Sequence, residues 1–178
     1  MRVVRFVTEP QLWTKAFVRR DDGDTTLPIV ALRAFTPLLS DNGCLSMYRL
    51  DPAIPPAEVV SAFWFMTKAS FLAVSVDEER LVARNLKITN PPGETFNSRV
   101  NPLHVDLNIT TTADAIAAAE EFYNHGRMIP MQDPELHAQI ANDNTAGFID
   151  FERLAKSKAS TSHGKLIELV AKGVLSVC

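Results

Sequence analysis

Two short polar segments carry the residue types best suited to chemistry. One strand-like segment contains Ser46 and Tyr48, and a second begins with His104 and continues to Asp106. A hydroxyl or thiol nucleophile, an imidazole base and a carboxylate that orients the base are the groups that nucleophilic catalysis uses. We therefore take Ser46, or Cys44, as the candidate nucleophile, His104 as the base, Asp106 as the orienting carboxylate, and Tyr48 and Arg49 as substrate-binding side chains.

Strand geometry limits how these groups can meet. Side chains two positions apart share one face of a strand, so His104 lies on the same face as Asp106, and Ser46 on the same face as Tyr48. Arg49 then points to the opposite face and cannot serve the same site as Tyr48 unless a bulge intervenes. A solvated sheet face with a half-buried histidine fits the same residues. Catalysis is accordingly the alternative hypothesis and not the leading one.

No motif for a metal ion or a cofactor accompanies these residues. The HExxH, CxxC, GxGxxG and P-loop patterns are all missing from the sequence. His104 and Asp106 could bind zinc, manganese or iron together with His125, His137 or Asp133, but the spacing of these residues is diffuse. We expect neither a dedicated metal site nor a cofactor.

The charge is distributed unevenly along an acidic chain of formal net charge −3. Residues 1–20 carry five basic residues and one acidic residue, and residues 152–178 carry five basic and two acidic residues, which leaves −10 for the middle. Binding of nucleic acid normally needs Lys and Arg clustered on one face. The pair Arg19-Arg20, or Lys156 with Lys158, could contact phosphates, but the acidic body favours a protein partner or self-association.

The location is predicted to be cytoplasmic, without a membrane anchor. The longest apolar run, residues 62–66, is far shorter than the roughly 20 residues of a membrane span. The first ten residues contain no signal-peptide cleavage site. Cys44 and Cys178 do not have the spacing of a disulfide framework and are predicted to be thiols.

Helix, strand and turn signals outline an α+β domain. Thr8 and Gln11 form a capping-box pattern before the first helix, and Gly126 stands where a left-handed residue often ends a helix. The segment 90–102, which is rich in proline and polar residues, is predicted to be a loop. The expected elements are helices near 9–20, 56–68 and 113–125, a short helix from 77 to 84, and strands at 27–35, 44–50, 71–76, 86–89 and 104–109, with 27–35 paired to 44–50.

The expected fold is a single α+β domain over residues 1–155, with an antiparallel or mixed sheet of about five strands packed by two main helices, 56–68 and 113–125. A linker at 156–164 and a C-terminal amphipathic helix at 165–177 extend this domain. The helix could pack on its own domain or bind in a groove of another chain. Its candidate partner-binding residues are Leu166, Ile167, Leu169, Val170 and Val174.

The middle of the chain resembles a type of small bacterial protein of unassigned role. In that type, an Asp-led strand containing Leu-Ser precedes a hydrophobic helix-and-strand unit and then a His-led strand before a helix; the corresponding segments are 41–46, 59–76 and 104–121. The resemblance implies no activity. We expect a cytoplasmic binding or accessory protein, such as an inhibitor, an immunity-type factor or a complex subunit. The alternative is a small enzyme with a site around His104 and the strand 44–49.

Overall fold

The computed structural model describes residues 1–35, 43–64, 70–156 and 160–174. Its fold is α+β, as predicted, with a six-stranded sheet in which every pair of neighbours is antiparallel. The strands are β1 Arg2–Thr8, β2 Cys44–Leu50, β3 Phe71–Asp77, β4 Lys87–Thr89, β5 His104–Asn108 and β6 Arg127–Ile129. Their order across the sheet is β4-β5-β2-β1-β3-β6.

The helices connect and flank these strands. They are α1 Pro10–Asp21, α2 Ile29–Phe35, α3 Pro56–Trp64, α4 Glu78–Ala83, α5 Thr112–His125, α6 Asp133–Thr145, α7 Phe151–Lys156 and α8 Ser160–Ala171, with a short 3-10 turn at Asn101–Leu103. The helix predicted over 56–68 is thus present to Trp64, and its last residues lie outside the described part of the chain. No helix in the described ranges is long and apolar enough to cross a membrane.

The chain forms two compact units. The first unit comprises residues 1–50, 70–91 and 104–130, and the second comprises residues 51–69, 92–103 and 131–178. The first unit contains the whole sheet with α1, α2, α4 and α5, and the second contains α3 and α6 to α8. The boundary that the sequence suggested after residue 155 falls inside the second unit.

The core of the first unit lies between the sheet and its helices. The buried cluster combines aromatic residues of α1 and α5 with apolar side chains of β2 and β5. The strand residues are Leu45, Met47, Val105 and Leu107. This is the core face that strand alternation predicted for β5. The second unit has its own smaller cluster, in which Phe96, Ile140, Leu154 and Leu169 are fully or almost fully buried.

The segment predicted as a strand at 27–35 is a helix, so that prediction and its pairing with 44–50 are wrong. The carbonyl of Pro28 accepts hydrogen bonds from the N–H groups of Ala31 and Leu32, at 3.0 and 3.2 Å, and so forms the first helical turn. Phe35 packs on Phe122 of α5 with ring centroids 4.6 Å apart. A short apolar run has no clear period, so tertiary packing decides its structure. The actual neighbours of β2 are β1 and β5.

The central strand, β1, was missed by the sequence interpretation. It pairs with β3 over its full length, Arg2 to Thr8, and on the other side with β2 over Arg2 to Val4. Val3 and Val7 join the core, while Val4 and Phe6 are buried on the opposite face. In a strand that is buried on both faces, apolar and polar residues do not alternate along the sequence, so the pattern that identifies a strand is missing.

Of the three capping features predicted at helix ends, one is confirmed and two are wrong. Thr111 caps α5 as expected, in a box with Asp114, and the hydrogen bonds from Thr110 and Thr111 lower the pKa of the Asp114 carboxyl. The predicted box at Thr8 is wrong, because α1 begins after Glu9, which has no side-chain cap. The predicted left-handed conformation of Gly126 is also wrong, since its φ is −65°.

The described residues of the linker predicted at 156–164 are helical. The helix α7 continues to Lys156 and α8 already begins at Ser160, so the last helix starts earlier than residue 165 and ends at Ala171. The predicted end of this helix at 177 lies outside the described residues.

Candidate functional site

The four catalytic candidates lie together on the sheet. The register of β2 and β5 places Ser46 opposite Asp106 and Tyr48 opposite His104, all on one face. The Oδ1 atom of Asp106 lies 3.4 Å from Ser46 Oγ and 3.5 Å from His104 Nε2. The edge of one ring meets the face of the other between Tyr48 and His104, at a centroid distance of 5.2 Å. Pairing of two strands distant in sequence therefore brings these residues into contact.

The order of these groups differs from that of a catalytic triad. A triad places the imidazole between the nucleophile and the carboxylate, whereas here the carboxylate of Asp106 lies between Ser46 and His104. His104 Nδ1 is 3.1 Å from the carbonyl oxygen of Pro91, which can only accept, so this nitrogen carries a proton. The imidazole is thus held between a carbonyl and a carboxylate, and the group that contacts the Ser46 hydroxyl is Asp106.

The remaining polar residues of this region have structural partners. Cys44 Sγ donates to Asn108 Oδ1 at 3.2 Å. Arg49, on the opposite face, binds both carboxylate oxygens of Glu78 at 2.9 and 2.6 Å and donates to Asn90 at 2.7 Å. The Arg49 guanidinium lowers the pKa of Glu78 through these hydrogen bonds. Arg49 is therefore part of a structural ion pair.

The predicted partner-binding face of α8 is divided. Leu169 is fully buried in the small cluster of the second unit, and Val174 packs against that cluster. Ile167 and Val170 are 57% and 37% exposed. The side chain of Leu166 lies outside the described set. The helix thus packs partly within its own unit and leaves two apolar side chains in solvent.

A cleft of about 480 Å³ in the first unit collects basic side chains that no local sequence pattern groups together. Its lining residues include four arginines, Arg2 from β1, Arg20 from α1, Arg80 from α4 and Arg127 from β6. Its volume lies within the range of about 300–1,000 Å³ that is typical of small-molecule sites. Four arginines from four elements converge there although the chain as a whole is acidic.

Two of the arginines are fixed by the protein backbone. Arg20 Nη1 donates to the carbonyl oxygens of Tyr123 and Gly126, at 3.0 and 2.9 Å, and its guanidinium lies 4.5 Å from the centre of the Phe17 ring. Arg2 Nη2 donates to the carbonyl oxygen of Ser75 at 2.6 Å. Side chains held in this way lose little conformational freedom when a ligand binds.

Three carboxylates balance part of this charge. Asp77 lies 3.3 Å from Arg2 and Asp21 lies 2.8 Å from Arg20; both line the cleft. Glu121, which is not a lining residue of this cleft, lies 2.9 Å from Arg80. It also lies 3.9 Å from both Arg84 and His125, where His125 is itself a lining residue. No acidic partner of Arg127 is found among the residues that the structure describes.

The second unit buries a pair of carboxylates. Glu58 and Asp143 are only 1% and 3% exposed, and Asn97 Nδ2 bridges them, 3.4 Å from one and 3.1 Å from the other. Glu58 is paired with Arg99 at 3.3 Å, and Gln139 donates to Asp143 at 2.7 Å. Burial, together with the nearby charge of Glu58, raises the pKa of Asp143 to about 6.

Within the described ranges, no group of three or more His, Cys, Asp or Glu side chains is placed to hold a metal ion. Comparison with protein-family models, with curated proteins and with solved structures found no match for this chain. Its function is therefore inferred from the arginine cleft and the sheet-face residues alone.

Proposed function

We propose that this chain is a binding or accessory protein that recognises an acidic group of a partner protein in the arginine cleft. The observation that carries the proposal is the convergence of Arg2, Arg20, Arg80 and Arg127 on one concave surface. Arginine matches carboxylate and phosphate groups through two parallel N–H donors, and it is enriched in protein interfaces. Electrostatic complementarity of this kind steers association and selects the partner.

The positive charge is local to the cleft and is not shared by the chain as a whole. Four arginines line the cleft against Asp21 and Asp77, and Glu121 pairs with Arg80, so the cleft keeps a surplus of one positive charge in a chain of net charge −3. A uniformly basic surface would attract nucleic acid without selectivity, whereas an isolated basic cleft favours one acidic group at a time. This contrast supports a protein contact of the kind formed by an inhibitor, an immunity-type factor or a complex subunit.

The first test is binding of a fluorescent, glutamate-rich peptide, measured by anisotropy at low salt. We expect Arg127→Gln to weaken binding by at least about tenfold, because a hydrogen bond to a charged group contributes about 1.5–3 kcal/mol. Arg33→Gln is the matched control, since Arg33 lies on α2 and is not among the cleft residues. Equal affinities for the wild type and both variants would contradict the proposal.

The second candidate function is a small enzyme acting at Ser46, His104 and Asp106. It is favoured by the contacts of Asp106 Oδ1 with the Ser46 hydroxyl and the His104 imidazole. In this arrangement Asp106 would accept the hydroxyl proton as Ser46 attacks an acyl group.

The two candidate functions differ in their response to Ser46→Ala and Asp106→Asn. As a binding protein, the chain should keep its affinity for the acidic peptide within twofold in both variants, because neither residue lines the cleft. Hydrolysis of a p-nitrophenyl ester should stay at the buffer rate in all three proteins. Hydrolysis above that rate that falls at least a hundredfold in both variants would establish the enzyme, since general-base catalysis contributes about 10²–10⁴-fold.

A further inference from the structure

We infer that the acidic group taken by the arginine cleft is a phosphate monoester, in the form of a phosphorylated side chain. This inference rests on the proposed function, because it specifies the group that the cleft recognises. Its basis is the set of N–H donors that remain available after the protein's own hydrogen bonds are made.

Two of the arginines retain most of their donors. Arg80 binds Glu121 through Nε, and within the described part of the chain its two terminal nitrogens make no hydrogen bond. Arg127 makes no side-chain hydrogen bond to any described residue. Each guanidinium presents five N–H donors in a planar fork. Direct contacts with a ligand would therefore come from Arg80 and Arg127, while the anchored Arg2 and Arg20 supply fixed positive charge.

Two forks suit a phosphate better than a carboxylate. A carboxylate has two oxygens, and one bidentate arginine satisfies both along one edge. A phosphate monoester has three terminal oxygens and can accept from two arginine forks together. Because Arg80 and Arg127 line the same cleft from α4 and β6, the donor set exceeds what one carboxylate needs.

The charge of the lining points the same way. Four arginines against Asp21, Asp77 and Glu121 leave the cleft locally positive, so it attracts a phosphate monoester, which carries about −1.5 to −2 at pH 7, more strongly than a carboxylate, which carries −1. Asp21 and Asp77 oppose an anion, but their side chains are 66% and 53% exposed and already paired with Arg20 and Arg2. Water screens such exposed carboxylates, so their repulsion is small beside the attraction of the arginines.

The size of the cleft indicates more than an isolated anion. A volume of about 480 Å³ corresponds to a small organic ligand rather than to a single phosphate group. The additional space can hold the side chain and backbone that carry the phosphate. A phosphorylated residue of a partner protein meets both requirements.

The experiment compares three probes on the full chain by anisotropy or calorimetry. They are a phosphoserine peptide, the same peptide with glutamate at that position, and phenyl phosphate. We expect the phosphoserine peptide to bind at least tenfold more tightly than the glutamate peptide and than phenyl phosphate. Arg127→Gln should reduce phosphopeptide affinity at least tenfold, and Arg33→Gln should change it less than twofold.

A variant that keeps the charge tests the geometry. Lysine retains the positive charge but not the planar fork, so Arg127→Lys should fall between the wild type and Arg127→Gln. If Arg80→Gln unfolds because Glu121 loses its partner, the Arg127 variants still decide the outcome, since Arg127 has no ion pair to lose in the described ranges.

The possible outcomes separate the inference from the proposed function. Equal binding of the phosphoserine and glutamate peptides would overturn the phosphate assignment and leave acidic-group recognition standing. If phenyl phosphate binds as tightly as the phosphopeptide, the cleft recognises a phosphate monoester, but the assignment to a phosphorylated partner protein is overturned. If no probe binds, or if Arg33→Gln has the same effect as Arg127→Gln, both are overturned.

Discussion

Replacing Gly126 with alanine should destabilise the first unit by about 3 kcal/mol, the upper end of the usual cost of overpacking. A Cβ atom at this position would lie 2.0 Å from the carbonyl oxygen of Phe122 and 2.9 Å from Val74 Cγ1. The Phe122 carbonyl belongs to the backbone of α5 and accepts the hydrogen bond from Gly126 N at 3.0 Å. Relief of the clash therefore requires the end of the helix to move.

Urea unfolding followed by far-UV circular dichroism measures this effect. Gly164→Ala is the matched control, because a Cβ at Gly164, in α8, would have no close neighbour among the described residues beyond the backbone of its own helix. Alanine in a helix is favoured over glycine by up to about 1 kcal/mol, so the control should be neutral or slightly stabilising. If the two variants have the same midpoint, the close approach at Gly126 does not constrain the fold.

The Gly126 variant should also weaken ligand binding in the cleft. The carbonyl oxygen of Gly126 holds Arg20 Nη1 at 2.9 Å, so a shift of this backbone releases one of the fixed guanidinium groups. Gly126, at the end of α5, thus also positions Arg20 in the lining of the cleft.

The second large effect is expected from Asp143→Asn, in the dependence of stability on pH. Burial raises the pKa of Asp143 to about 6, whereas an aspartate in an unfolded chain titrates near a pKa of about 3.9. The native state therefore holds a proton that the unfolded state releases between these two pH values. The stabilisation from this proton is complete below about pH 4 and is lost as the pH rises through about 6.

The difference between these two pKa values corresponds to about 3 kcal/mol. The asparagine side chain of the variant cannot titrate, so the unfolding free energy of the variant relative to wild type should rise by about this amount between about pH 4 and about pH 7.5. Urea unfolding at several pH values measures the difference. Glu94→Gln is the control, because the side chain of Glu94 is 83% exposed. Its unfolding free energy relative to wild type should change by less than about 0.5 kcal/mol over the same pH range. Parallel curves for wild type and Asp143→Asn would contradict the protonated state of Asp143.

Much of the sheet could be predicted from the sequence because its strands have distinct signals. The segments of β2, β3 and β5 combine apolar runs or alternation with flanking turn residues, and their positions agree with the structure. Two ambiguous runs were not predicted correctly: residues 2–8 are rich in β-branched residues but do not alternate, and residues 27–35 suggest a strand where the structure has a helix. In both, packing on other elements decides the structure, and that information is not local.

The arrangement of the polar residues on the sheet face could be predicted in part from the sequence. Alternation predicted that Ser46 and Tyr48 share a face and that Arg49 lies on the other, and the register of β2 with β5 agrees. Alternation could not give the order of the three groups, in which Asp106 lies between Ser46 and His104. That order depends on rotamers and on the anchoring of His104 to the Pro91 carbonyl.

The arginine cleft was not predictable as a motif. Its four arginines come from four separate elements, and each one stands in an ordinary local context. The only signal is the pair Arg19-Arg20, a candidate phosphate contact, of which Arg20 does line the cleft. Sites assembled by topology from scattered residues become visible only in the folded chain.

The position of β1 at the centre of the sheet determines the order in which the first unit can assemble. Both of its neighbours come later in the chain, and the register pairs Val3 with Val76. During synthesis, at about 5–20 residues per second, β1 is therefore made several seconds before its partner in β3 emerges. Such long-range pairing slows folding to the millisecond-to-second range and leaves both edges of an apolar strand open meanwhile. Of the strands that have two neighbours, β1 is thus separated from its second neighbour by the longest stretch of chain, which makes it the strand most exposed to aggregation before the sheet closes.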